Sequence, residues 1–144
     1  MNKREQGDPG YGRYTRPVSE GVKPVVLVVD DAPALRLLSR VNLELDGYRV
    51  VEAATLDGAR ALLATEPVAL VLLDLQVGFE RGDALLDELR AREVRIPVVV
   101  VTGSTDVDSG ELRIDADAVI AKPFTIDQLL STVRSLVAVA PVAR

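Results

Sequence analysis

The sequence contains no cysteine and no histidine. The first absence excludes a disulfide scaffold and a thiolate nucleophile. The second removes every imidazole-based acid–base scheme, and together they leave no zinc site of the usual ligands. Any metal held by these side chains would be a hard cation on oxygen ligands. Aromatic residues make up 3% of the chain and tryptophan is missing, so the core has to be built from Val, Leu, Ile and Ala. No apolar run approaches a membrane span, and the opening stretch MNKREQGDPGYGRYTRPVSEGVKP has none of signal-peptide length. A cytoplasmic location with no membrane partner is the expectation. An excess of positive charge is also lacking: the net charge of -5 argues against general nucleic-acid binding.

What is present suits one folded domain. The chain has 144 residues, 48% hydrophobic and 27% charged, enough for a single core with a solvated surface. Residues 1–23 are rich in Gly, Pro, Arg and Tyr and lack periodicity, which reads as a flexible tail. A solvated leader is the plainer account of it; a docking role for Tyr11 and Tyr14 ranks behind. The folded domain is expected over residues 24–139, with a short tail at 140–144.

From residue 24 short apolar runs alternate with helical patterns. VVLVV (25–29), YRVVEA (48–53), VALVLLDL (68–75), PVVVVT (97–102) and DAVIA (117–121) read as strands. The segment after Pro33 places Leu35, Leu38, Val41, Asn42 and Leu45 on one stripe, predicted to face the core, with Gly47 as the stop. Thr55 can cap a helix over LDGARALLATE, and GDALLDELRARE (82–93) predicts a third. DSGELRI (108–114) is at best a short helix, weakened by Gly110. Residues 125–139 predict the last, with Thr125 and Gln128 as a capping box. Strands apolar throughout are covered on both faces, so the fold class is α/β with an open, mostly parallel sheet.

Ligand sites in such sheets lie beyond the carboxyl ends of the strands. There the first strand ends in Asp30 and Asp31, the third in Asp74, the fourth in Thr102 and the fifth in Lys122. The second ends in Glu52 and carries no such marker. Each residue alone has a plainer account: a helix cap, a turn, a strand hydroxyl, a surface charge. Asp74 is the exception, because it follows six apolar residues and would be costly without a partner. Jointly, the plainer account needs four coincidences on one edge. Three converging carboxylates repel, Lys122 offsets part of that, and a divalent cation offsets the rest. Mg²⁺ suits carboxylate and phosphate oxygens. Asp74 is then a nucleophile towards phosphorus, with Thr102 and Lys122 as donor and cation for phosphoryl oxygens.

VVLVVDDAP, VLLDLQ, VVVVTGS and VIAKPF, in this order and spacing, resemble the receiver domain of bacterial response regulators in two-component signalling, over about residues 24–139. The resemblance implies a flavodoxin-like fold with strand order 2-1-3-4-5. It implies that Asp74 is the phosphoacceptor, taking its phosphoryl group from the phosphohistidine of a sensor histidine kinase or a histidine phosphotransfer protein. Asp31 and Asp74 would ligate Mg²⁺ directly and Asp30 through water, with the backbone carbonyl of Gln76 as a further ligand. Lys122 would bind the phosphoryl oxygens, the Lys122–Pro123 peptide would be cis, and Thr102 would report phosphorylation by moving. The expected molecule is a phosphorylation-dependent switch and phosphoprotein, at most self-phosphorylating and autodephosphorylating, and a monomer or weak dimer. Since only APVAR follows residue 139, no output domain of its own is expected, and its downstream partner is unknown.

Some positions depart from the family pattern. Val77 and Gly78 stand where many members have Met-Pro, which predicts a more pliable loop. Gln76 and Ser104 occupy positions that tune phosphoryl lifetime. Val119 stands where a switching aromatic is common, so the signal is expected to leave through the surface after strand four, at 103–115. Two other classes fit less well. A hydrolase with an aspartyl-phosphate intermediate, of the haloacid dehalogenase pattern, needs a second Asp two residues after a strand-one nucleophile, which VVDDAP lacks. A phosphate-independent interaction domain would have been favoured by a missing Asp or Lys.

Overall fold

The computed structural model describes residues 22–103 and 115–138. Most of the expected N-terminal tail, Ser104, the expected short helix at 108–114 and the tail at 140–144 lie outside the described residues. The strands are β1 (Val25–Val29), β2 (Arg49–Ala53), β3 (Val68–Asp74), β4 (Val98–Gly103) and β5 (Ala118–Lys122). The helices are α1 (Pro33–Leu45), α2 (Leu56–Thr65), α3 (Asp83–Ala91) and α4 (Ile126–Leu136). The five strands are all parallel, in the order β2-β1-β3-β4-β5. The sequence pattern led us to expect an open parallel α/β sheet, and the receiver resemblance implied this doubly wound, flavodoxin-like strand order.

The unbroken apolar runs follow from this layering. Successive strand residues point to opposite faces, and both faces are covered. Val25, Leu27 and Val29 pack with Leu56, Ala59 and Leu63 of α2 and Leu85, Leu86 and Leu89 of α3. Val26 and Val28 pack with Leu43 of α1, Tyr48, and Leu129 and Val133 of α4. The caps agree with the sequence. Thr55 Oγ1 accepts the Gly58 N–H at 2.9 Å, and Thr125 and Gln128 form the reciprocal box. Arg90, near the end of α3, donates to the carbonyls of Val94 and Ile96 and to Asp117, tying α3 to the residues that lead into β5. Among the described residues, no helix is long and apolar enough to cross a membrane.

The stripe expected on α1 is corrected. Leu38, Val41 and Leu45 are exposed, at 43%, 45% and 81%, and the residues that α1 buries are Ser39 and Leu43. Burying Leu43 is worth about 2–3 kcal/mol, which Leu45 forgoes. The rotation is set by charge as well as by apolar area. At about 100° per residue, Arg36, Ser39, Arg40 and Leu43 share one arc, and Leu45 lies roughly opposite it. Arg36 and Arg40 both reach Glu52 on β2, and this holds the Leu43 face, rather than the wider apolar arc, against the sheet.

Candidate functional site

Parallel register brings the carboxyl ends of four strands to one edge. Leu73 pairs with Val29, Asp74 with Val101, and Gly103 with Lys122. Asp30 therefore lies beside Asp74, and Thr102 lies one register step from Lys122. Carboxylate oxygens of Asp30, Asp31 and Asp74 lie within 4.8 Å of one another. Asp30 and Asp74 are buried, Asp31 is exposed, and Thr102 is buried. The residues singled out in the sequence are thus brought together at the edge where they were expected.

The two buried carboxylates are held alike. Asp30 Oδ1 accepts the N–H of Ala32 at 2.8 Å, and Asp74 Oδ1 accepts the N–H of Gln76 at 3.0 Å. Each second oxygen faces Lys122, whose Nζ lies 2.8 Å from Asp74 Oδ2 and 3.8 Å from Asp30 Oδ2. Burial pushes the Asp30 carboxyl above its ordinary range. The Ala32 N–H and Lys122 act against that rise, and the charges of Asp74 and Asp31 add to it. One lysine facing three carboxylates leaves negative charge in excess. The donor set is all oxygen, so the group fits a hard divalent cation. The Lys122–Pro123 peptide is cis.

The chain after Asp74, where Gly78 led us to expect a pliable loop, forms a short hairpin. Gln76–Val77 and Glu80–Arg81 pair as a two-residue antiparallel ladder. Gly78 sits in the turn with φ +62°, a conformation that glycine takes at no steric cost. The Gln76 side chain closes the turn on the Gly78 carbonyl at 2.9 Å, and Phe79 stands fully exposed at its tip. Gly82 then packs against the backbone of Asp74. A Cβ there would fall 1.9 Å from the Asp74 carbonyl oxygen, and the Gly82 N–H donates to Leu75 O. Val119, at the position where an aromatic is common, is 43% exposed.

Three contributors were missed in the sequence: Gly82, Arg36 and Glu52. Arg36 Nη1 donates to the Asp30 carbonyl at 2.7 Å, and its Nε meets Glu52 at 3.2 Å. Glu52 therefore does serve this edge, through Arg36. The available signals were a carboxylate at the same strand end as the others, and an arginine one turn into the helix that leaves the acidic pair.

A family model described as the response regulator receiver domain matches residues 26–134. The transcriptional regulatory protein KdpE of Mycobacterium tuberculosis is 36% identical over 115 residues, covering 78% of this chain and 50% of that protein. The transcriptional regulatory protein AruR of Pseudomonas aeruginosa is 36% identical over 121 residues, covering 79% and 49%. The chain thus spans about half the length of these curated relatives. Among solved structures, the receiver domain of NtrX from Brucella abortus superposes with a TM-score of 0.70 at 30% identity, over 77% of this chain and 96% of that one. A response regulator from Thermotoga maritima gives 0.68 at 29% identity, over 80% and 98%.

Proposed function

The chain belongs to the response regulator receiver family, and on that premise we propose that it is a signalling switch that carries a phosphoryl group on Asp74. The observation that supports this most is the edge itself: three carboxylates with oxygens within 4.8 Å of one another, and Lys122 2.8 Å from Asp74. The donor is a phosphohistidine of a sensor histidine kinase or a histidine phosphotransfer protein. A carboxylate oxygen of Asp74 forms the new P–O bond as the P–N bond breaks. The electron pair stays on the imidazole nitrogen, which takes up a proton.

Asp30, Asp31, Asp74 and the Gln76 carbonyl would hold Mg²⁺. When bound, it supplies charge neutralisation for the phosphoryl oxygens. The protein's own residues do the rest. The Gln76 N–H holds one oxygen of Asp74, so the other is presented on the Lys122 side. Lys122 exchanges part of its pairing with Asp74 for the incoming phosphoryl oxygens, and Thr102 supplies a hydroxyl. The change is read on the surface after β4. The expected output segment, residues 103–115, lies mostly outside the described residues.

The test is incubation with acetyl phosphate and Mg²⁺, followed by intact-mass measurement. One base-labile phosphoryl group is expected on the wild-type protein and none on Asp74→Ala. The same stoichiometry on the variant would overturn the assignment.

A further inference from the structure

The Asp30 carbonyl that Arg36 grips belongs to the peptide joining Asp30 to Asp31. That peptide is planar, so fixing its oxygen also fixes where the Asp31 residue begins. Two neighbouring anchors flank it, one before Asp30 and one in the peptide that follows Asp31. The Asp30 N–H donates to the Ala53 carbonyl at 3.1 Å, and Asp30 Oδ1 accepts from the Ala32 N–H. Asp31 is exposed and, among the described residues, its side chain has no hydrogen-bond or ion-pair partner. Its position is inherited from the backbone, which Arg36 holds at the peptide before Asp31 and Asp30 Oδ1 holds at the peptide after it.

Arg36 is in turn held by Glu52. Its Nε lies 3.2 Å from Glu52 Oε1, while Glu52 Oε2 accepts from Arg40 Nη1 at 2.9 Å. Arg40 Nε continues to Glu44 at 3.2 Å. Arg36 and Glu52 are largely buried, with side chains 19% and 26% exposed. An arginine released from Glu52 would keep its charge beside the Asp30–Asp31 peptide with donors set free, and it would compete with a cation for the acidic side chains. Glu52 thus keeps the guanidinium on a carbonyl and off the acidic side chains.

From this geometry we infer that Arg36 and Glu52 are a positioning pair that sets the divalent-cation affinity of the Asp30–Asp31 corner. The inference rests on the proposed metal role of that corner and deepens it. Arg36 aims Asp31 through the shared peptide, and Glu52 keeps Arg36 in place. Groups that orient metal ligands without touching the metal typically change affinity by about 10–100-fold when removed.

The experiment is calorimetric titration of Mg²⁺ into the full, unphosphorylated chain, with melting curves in EDTA as a check on folding. Arg36→Met, Arg36→Lys and Glu52→Gln are each expected to bind about tenfold more weakly than wild type. In the Arg36→Met background, Glu52→Gln is expected to add no further loss, because Glu52 acts through Arg36. Arg36→Lys guards against trivial misfolding, since it keeps the charge and the aliphatic stem. Were Arg36 only a nearby positive charge, Arg36→Met would bind more tightly and Arg36→Lys as wild type, and that result would overturn the inference. Equal affinities throughout would overturn it as well, while leaving the metal site standing. A wild-type protein that takes up no Mg²⁺ would overturn both.

Discussion

On the β2 side of the acidic edge, Asp30 is held through its N–H, its carbonyl and its Oδ1, and the carbonyl contact is backed by Glu52, Arg40 and Glu44. On the β5 side, among the described residues, the cation facing the carboxylates is Lys122, at the end of a long flexible stem. Around it β5 is thinly packed: Ile120 is buried, while Val119 is exposed and the other residues lie between. The two sides teach a division of labour. The corner that would hold a cation is fixed before anything binds. At the corner that would feel a new phosphoryl group, the Gln76 N–H holds one Asp74 oxygen and the flexible Lys122 meets the other, so a change at Asp74 falls first on the Lys122 contact.

The comparison can be broken most severely at the point both sides share. Gly82 backs the Asp74 peptide, and Gly82→Ala would place a Cβ 1.9 Å from the Asp74 carbonyl oxygen. We expect a loss of about 3 kcal/mol or more, near 10 °C of melting temperature for a chain of this size, together with slowed phosphorylation. An unchanged melting curve would mean that the hairpin yields freely.

Lys122→Met tests the β5 side alone. It removes the cation between two buried carboxylates, and a loss of about 1–2 kcal/mol is expected by urea denaturation. Phosphorylation from acetyl phosphate should fall sharply. Mg²⁺ affinity should hold or rise, because a competing positive charge is gone. That sign is opposite to the sign expected at Arg36, and a fall at both positions would erase the distinction between the two sides.

The smallest effect is expected at a pair outside both corners. Arg60 of α2 grips Glu88 of α3 at 2.6 Å, with both side chains a third or more exposed. The Arg60 hydrogen bond holds the Glu88 carboxyl below its ordinary range. A lowered carboxyl stabilises the fold above its unfolded pKa, about 4.3, and that stabilisation is lost as pH falls through the lowered folded value. Glu88→Gln should therefore cost under about 1 kcal/mol at neutral pH, and the gap to wild type should close in acid. Melting curves across that range check the sign. Mg²⁺ affinity should be unaltered.

The alternation of strands and helices and the gathering of Asp30, Asp31, Asp74, Thr102 and Lys122 were legible from local patterns: apolar runs, turn residues and polar residues at strand ends. The caps at Thr55 and Thr125 were legible in the same way. The strand order came from the family resemblance alone. What was missed depends on how elements meet. α1 offers two apolar arcs, and periodicity favours the wider one. The Arg36 and Arg40 contacts with a strand that follows in sequence choose the narrower. The hairpin at 76–81 hides in six residues, too few for a period. Gly82 reads as a helix start until the Asp74 carbonyl is seen behind it. Glu52 passed as an ordinary strand end because its partner lies 16 residues earlier.

Tyr48 is buried at the amino end of β2, and its hydroxyl donates to the Val137 carbonyl at 2.6 Å, just past α4. Arg134 grips Asp46 with both terminal contacts within 2.8 Å of the carboxylate. These two fastenings lie at the end of the sheet opposite the carboxylates. They tether the carboxyl end of α4 to the segment that leads into the edge strand, a full strand length from the acidic edge. The last helix is thus fastened at both ends: through the chain to Lys122 at its start, and through Tyr48 and Asp46 at its finish.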